Sequence, residues 1–395
     1  MGDPPLTPRP RNDAIDLLRG LVMVLMALDH VRDLFSSYPT DPTATLDTTT
    51  PGLFFTRWVT HFCAPVFIFL AGASAFLAGT HRSRPELARF LATRGLWLVV
   101  AELTLVRWAW LFELGFHILI FQVIWVIGVS MIVLAGLLLL RLRPIQIGAI
   151  GLALVVGHDM LDGVHASSFG PWGWLWTLVH EGGVFTPGDH VARVFFPLAP
   201  WVAVMPVGYA AGVVFTWPAA RRRRFLLRLG VGMILAFVAL RAANGYGDPQ
   251  PWTSQRTPLV TLFSFLACRK HPPSLCYLLM TLGPALAFLG LVEGITARWA
   301  RPLVTFGRVP FFYYLLHVPL IHGAAVASGA ILGGAAGASA FAHKLFLPPA
   351  ETMRWGFSLP VVYLAWALVV FSLYPVCRWF AGVKARKRAA WLSYL

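Results

Sequence analysis

Asp13-Ala-Ile-Asp-Leu-Leu-Arg-Gly20, Met26-Ala-Leu-Asp-His-Val-Arg-Asp33 and Thr60-His-Phe-Cys-Ala-Pro-Val-Phe-Ile-Phe-Leu-Ala-Gly72 are the phrases whose reading decides the fold. They belong to two apolar runs, 14–35 and 54–79, each long enough to cross the hydrocarbon core of a bilayer. The first run ends in Asp29, His30, Arg32 and Asp33, all within five residues, and the second carries His61 in its opening turns. A charged side chain at membrane depth costs several kcal/mol unless it is paired or faces a polar cavity. These residues therefore mark a cavity, and the remaining apolar runs are its walls.

Composition agrees. Of 395 residues 57% are hydrophobic and only 12% charged, against about 25% charged in a soluble domain. The mean hydropathy is +0.69. Apolar runs recur from end to end without the alternation of barrel strands, which excludes an outer-membrane barrel. The expected fold is all-α, a polytopic helical bundle forming one domain over 1–395. Residues 1–12, Pro-rich and polar, are expected to be a disordered cytoplasmic segment, and 382–395 a basic cytoplasmic tail. The net charge of +15 comes from arginines and lysines in short connections, the placement of an orientation signal rather than of a nucleic-acid surface. Cys63, Cys268, Cys276 and Cys377 show no Cys-x-x-Cys spacing and are expected to be free thiols.

Ten spans are expected, at 14–35, 54–79, 88–110, 116–140, 144–160, 192–216, 224–243, 273–297, 302–324 and 355–380. The Gly/Ala-rich stretch 324–341 is either re-entrant or an eleventh span. Basic connections around Arg82, Arg141, Arg221 and Arg301 alternate with connections that hold most of the acids. The positive-inside rule then puts both termini in the cytoplasm, which requires an even count and favours the re-entrant reading. A multi-pass protein of the plasma (inner) membrane follows. This orientation places eleven of twelve histidines in the outer half or the outer connections, suggesting a cavity open to that side. Pro171-Trp-Gly-Trp-Leu-Trp suits a turn at the headgroup level, and Arg269-Lys270-His271 places basic residues where the inside rule does not want them.

Helical spacing sets His30 and Asp33 on one face, where a carboxylate can orient an imidazole as a general base. The competing arrangement is a salt-bridge cluster, Asp29–Arg32 and Asp33–Arg32, that only anchors a helix end. Asp16–Arg19 is expected to be a structural pair, and Glu102 with Arg107 a pair within the bundle. Pro65 frees a backbone carbonyl near His61, so a local opening of that helix is expected. His317 and His322 are five residues apart and turned about 140° from each other, which prevents one helix offering both to one metal. No zinc motif, phosphate loop or Gly-x-Ser-x-Gly elbow appears, and no metal is expected.

Ile15-Asp-Leu-Leu-Arg-Gly-Leu with Met26-Ala-Leu-Asp-His, and Cys63-Ala-Pro-Val-Phe-Ile-Phe-Leu-Ala-Gly, resemble the opening of the heparan-α-glucosaminide N-acetyltransferase catalytic family. Phe265-Leu-Ala-Cys-Arg-Lys-His-Pro-Pro-Ser-Leu and Phe306-Gly-Arg-Val-Pro-Phe-Phe-Tyr-Tyr-Leu-Leu-His resemble later segments of its bacterial branch. The resemblance implies a multispan acyltransferase taking acetyl from cytoplasmic acetyl-CoA to a carbohydrate or lipid-linked acceptor across the membrane. It also implies a histidine beyond the first span, and since 36–53 holds none, His30 and His61 are the candidates. The expected site is thus His30, Asp33 and His61 as catalytic residues, with Asp29, Arg32, Arg57, His317 and Tyr313 binding substrate. The partners expected are the acyl donor, the acceptor and the bilayer; a homodimer stays open, and nucleic acid is excluded. A transporter or flippase with a histidine-lined path is the alternative.

Overall fold

The computed structural model describes residues 13–295, 297–387 and 392, so the expected disordered segment 1–12 lies outside the described residues, as does most of 388–395. The chain is mostly helical. In chain order the helices are α1 (Asp13–Phe35), α2 (Pro51–Thr60), α3 (Cys63–Gly79), α4 (Arg84–Ala101), α5 (Arg107–Leu111), α6 (Val123–Leu139), α7 (Pro144–Gly157), α8 (Gly173–Trp176), α9 (Leu198–Ala211), α10 (Ala219–Ala243), α11 (Pro258–Leu266), α12 (Leu275–Leu291), α13 (Arg301–Arg308), α14 (Pro310–Ala342), α15 (Pro349–Trp355) and α16 (Leu359–Arg386). The strands are β1 (Ile118–Phe121), β2 (Gly183–Phe185) and β3 (Val191–Val194).

Among the described residues six segments are long and apolar enough to cross a membrane: α2 with α3, α7 with its following turn, α9 with its following turn, α10, α14 and α16. Two more apolar helices, α6 and α12, have 17 residues each. The expected ten spans are therefore not recovered from length and composition. The segments that fall short include α1, whose 23 residues carry Asp13, Asp16, Arg19, Asp29, Arg32 and Asp33.

Charge excludes α1 by composition, but packing puts it at the centre. Its residues are buried on nearly every face, and it touches α2, α3, α12, α13, α14 and α16. The outer helices do the reverse. Leu364, Leu368 and Phe371 on α16 and Leu235 and Val238 on α10 are exposed, an apolar surface of the kind that faces lipid. Close helix contact depends on small residues, as expected where lipid offers no hydrophobic drive to association. A Cβ at Gly72 would strike the Met205 carbonyl, and one at Gly208 the Phe69 carbonyl, so α3 and α9 meet backbone to backbone.

Of three local features, two differ from expectation and one, the return of 324–341, agrees with the re-entrant reading. The fold is not purely helical: β1 pairs parallel with β3, and β2 pairs antiparallel with it. The segments 116–121 and 192–194, read as the starts of spans, satisfy their backbone groups in this small sheet instead. Next, 324–341 is no separate span. It continues α14 and folds back at Gly333–Gly334, where Gly334 has φ +57°. Gly329 and Gly337 face each other across that return, and the Ala342 carbonyl comes to 3.2 Å from His322 Nε2. Finally, Glu102 and Arg107 do not pair. Glu102 opens a π-helical turn (Glu102–Val106) and accepts from Trp125 N at 2.9 Å. Arg107 bonds Ile118 O and both the carbonyl and carboxylate of Glu113. The Asp16–Arg19 pair forms at 3.0 Å, and all four cysteines are free and buried.

Candidate functional site

Two cavities occupy the bundle, one at each end, and α1 runs between them. The first, about 450 Å³, is lined by Asp29, His30, Arg32, Asp33, Arg57, Lys270 and His271, with Arg193 and Lys344 also in its wall. The second, about 300 Å³, has apolar walls from Met23, Phe67, Leu91, Ile127 and Phe311, and five cations: Arg19, Arg82, Arg94, Arg308 and Lys384. Met26, Phe67 and Val123 line both.

The end of α1 is pinned in place by backbone bonds from Ser37 N to Phe357 O at 2.9 Å and from Phe357 N to Phe35 O at 2.7 Å. This holds its last turn, and with it the charged cluster, against the start of α16. Arg57 on α2 donates to both carboxylate oxygens of Asp29 at 2.8 and 2.9 Å. It also donates through Nε to Asp41 Oδ2 at 2.8 Å, tying down the threonine-rich loop 36–50. Arg32 donates to Asp29 Oδ1 at 2.9 Å and to Asp33 Oδ1 at 2.6 Å. The anchoring cluster considered from sequence is therefore formed. Three carboxylates face two guanidiniums, and Lys270 is the further cation acting on them. Burial opposes the Asp41 charge, but Arg57 and Arg32 more than offset it and hold that carboxyl well below its usual range. Burial, and then Arg57, push the Lys270 ammonium down to about 8.

His30 is held from another helix. Its Nδ1 lies 2.7 Å from Nε2 of His317 on α14, and His317 Nδ1 lies 3.0 Å from the Tyr313 carbonyl. A carbonyl only accepts, so His317 carries its proton on Nδ1 and presents Nε2 as acceptor. His30 must then donate from Nδ1, which leaves the lone pair on Nε2. The bonding thus fixes both tautomers and leaves one basic nitrogen on a cavity-lining ring. The edge of Trp110 packs on His30 with centroids 4.7 Å apart.

This arrangement corrects several assigned roles. Asp33, expected to orient His30, spends its carboxylate on Arg32; the partner across helices is His317. His61 does not line the cavity with Asp29 and His30. The α2–α3 break falls at His61–Phe62, as Pro65 suggested, but the His61 ring is buried against Tyr277, whose hydroxyl donates to the His61 carbonyl at 2.7 Å. His317 and Tyr313 are not in the wall either. The Tyr313 ring stacks on His317 at 5.0 Å, and its buried hydroxyl has no hydrogen-bond partner. Their contact with the site runs through the His317 ring, which meets His30 Nδ1. Arg32 and Arg57 do line the cavity, yet their guanidiniums are engaged by carboxylates, which leaves them poorly placed to serve an oxyanion.

The residues not anticipated at the site are Lys270, His271, Trp110 and Tyr314. Lys270 and His271 were visible as basic residues out of place for their loop. Trp110 and Tyr314 carried no signal, because an aromatic in an apolar helix reads as packing. Their indole N–H and hydroxyl are buried, with no hydrogen bond of acceptable geometry, beside His30. Trp110 borders the first cavity and Tyr314 the second.

Among curated proteins none matches the chain. The family model described as heparan-alpha-glucosaminide N-acetyltransferase, catalytic, matches residues 11–242, well over half of the chain, covering α1 to α9 and nearly all of α10. The matched region contains the charged cluster, His30 and Trp110, while Lys270 and His317 lie beyond it. The chain belongs to the heparan-alpha-glucosaminide N-acetyltransferase catalytic family, whose activity is membrane acetyl transfer.

Proposed function

We propose that this protein moves an acetyl group from cytoplasmic acetyl-CoA to an amine or hydroxyl of a glycan-type acceptor on the other side of the membrane. The observation that carries this reading is the pair of cavities of opposite chemistry that share Met26, Phe67 and Val123 in their walls, His30 lining the polar one. Guanidiniums suit phosphates, which they grip in bidentate fashion. The arginine-rich rim of the smaller cavity fits the nucleotide of the donor, and its apolar interior fits the pantetheine arm. The larger, polar cavity takes the acceptor.

In the proposed step Nε2 of His30 takes the proton of the acceptor as its nitrogen or oxygen bonds to the acetyl carbon. The carbon–sulfur bond breaks, CoA leaves as thiolate, and the proton passes to that sulfur. Charge developing on the acetyl oxygen needs preorganised donors; Trp110 Nε1 and the Tyr314 hydroxyl, both buried beside His30, are the candidates. His317 and the Tyr313 carbonyl hold the tautomer that the step requires. The arginine-rich end is then cytoplasmic, both termini with it, and the bundle makes ten crossings of the plasma membrane.

The test is acetyl transfer by purified protein in liposomes, with labelled acetyl-CoA on the arginine side and an amino-sugar acceptor on the other. His30→Ala should lose about 10²–10⁴-fold in rate, the usual contribution of a positioned base. A rate within twofold of wild type would remove His30 from the chemistry.

A further inference from the structure

Outside both cavities, three side chains capable of holding a metal converge where α7 ends. His158 and Asp162 sit four residues apart on the 3₁₀ turn that follows α7 (His158–Leu161) and its cap. His180 comes from a π-helical turn (Thr177–Glu181) 22 residues further on. One ligand atom from each lies within 4.8 Å of the other two.

A second observation comes from the environment of these groups. The His158 side chain is 1% exposed, and its ring nitrogens make no well-aligned hydrogen bond; its polar neighbours are Asp159 Oδ1, 3.2 Å from Nε2, and the Pro273 backbone.

We propose that His158, His180 and Asp162 bind a divalent transition-metal ion, zinc by preference, with a water completing the shell. Two imidazoles argue against calcium or magnesium, which take oxygen ligands. Two nitrogens, one carboxylate oxygen and a water suit four-coordinate zinc, whose ligand atoms stand about 3.3 Å apart around bonds of about 2.0–2.1 Å. Side-chain rotations close the remaining gap. Nε2 of His180 stands 3.3 Å from the His158 carbonyl, a backbone partner of the kind that fixes the tautomer of a ligating histidine and leaves Nδ1 for the metal. Arg269, 3.8 Å from Asp162 Oδ1, lies beside the ligating carboxylate.

The site is structural. Asp159 Oδ2 accepts from Leu275 N at 3.1 Å, at the first residue of α12. An ion on His158 would clamp the end of α7 to the 177–181 turn and, through the neighbouring Asp159, hold the start of α12. It would thereby steady the 269–274 turn that carries Lys270 and His271 to the acceptor cavity.

The experiment uses the full chain in detergent, stripped with EDTA and titrated with Zn²⁺, reading metal content by mass spectrometry and thermal melting. Wild type should take up roughly one zinc per chain and melt higher with Zn²⁺, since an ion bound only to the folded state stabilises it. His180→Ala and His158→Ala should lose both responses. Asp162→Asn, at a half-buried position, should weaken them and serves as the deciding variant if His158→Ala does not fold. His30→Ala should keep both responses, which separates this site from the acetyl-transfer reading. Absence of zinc uptake by wild type, or equal uptake by the His180→Ala and Asp162→Asn variants, overturns the proposal.

Discussion

His30 depends on a partner 287 residues away in sequence. Its tautomer is set by His317, and that of His317 by a backbone carbonyl, so replacing His317 should disturb the base without touching the acceptor. We expect His317→Ala to lower kcat at least tenfold with KM little changed, and Asp33→Asn to act mainly on stability through Arg32. Steady-state kinetics of the two variants check this, and the opposite split would return the orienting role to Asp33. Lys270 makes a second prediction at this scale. Its folded pKa of about 8 lies below the usual 10.5 because burial and Arg57 disfavour the charge. Between those values the unfolded chain holds more protons, so stability gains as pH rises through the window, while below about pH 8 the full cost applies. Lys270→Met should therefore raise the melting temperature at pH 7, and the gain should shrink towards pH 10. A gain that does not change with pH would show that the ammonium is not strained.

At the scale of elements, glycine decides how closely helices approach. Gly208 presses α9 onto the Phe69 carbonyl of α3, the helix that forms one wall of both cavities through Phe67. Gly208→Val must push the backbones of α3 and α9 away from each other, and overpacking of this kind costs about 1–3 kcal/mol or more. Thermal melting in detergent should drop by several degrees. Gly232→Ala, where an added Cβ meets nothing within 4 Å, should leave the melting temperature unchanged, and equal effects of the two would refute this account of the packing. Other elements serve the site directly. The π turn at Glu102 sends that carboxylate to the N-terminal turn of α6, and the α2–α3 break frees α2 to carry Arg57 into the charged cluster.

For the whole molecule, the charges divide the bundle into two ends of different composition. Arginines gather at the end that the positive-inside rule assigns to the cytoplasm, and the buried cluster of aspartates and arginines gathers at the other. Cysteine labelling tests this orientation, because all four native cysteines are buried and should stay silent. Asp189→Cys, in an exposed connection beyond the sheet, should react with a membrane-impermeant maleimide on intact cells. His81→Cys, in an exposed connection at the arginine end, should react only after lysis. The reverse pattern would invert the donor and acceptor sides.

The sequence by itself determined that this is a helical membrane protein and where its buried charges gather. Runs of apolar residues leave the backbone no partner but itself, and a charge inside such a run must be paired or face a cavity. On that ground Asp29, His30, Arg32 and Arg57 stand out without a structure, and the break ahead of Pro65 with them. Local spacing could not say who pairs with whom. It matched His30 with Asp33 one turn away, whereas α14 brings His317 across the bundle and Arg32 takes the carboxylate. It gave His61 the same cavity as His30, but the turn of the chain at Phe62 faces that ring towards Tyr277. It read 116–121 and 192–194 as helix ends, because a strand of four apolar residues looks like a span until its partner strand is known. Only the tertiary structure decided these points, since each rests on contacts between residues far apart in the chain, and the period of a single helix carries no record of its neighbours.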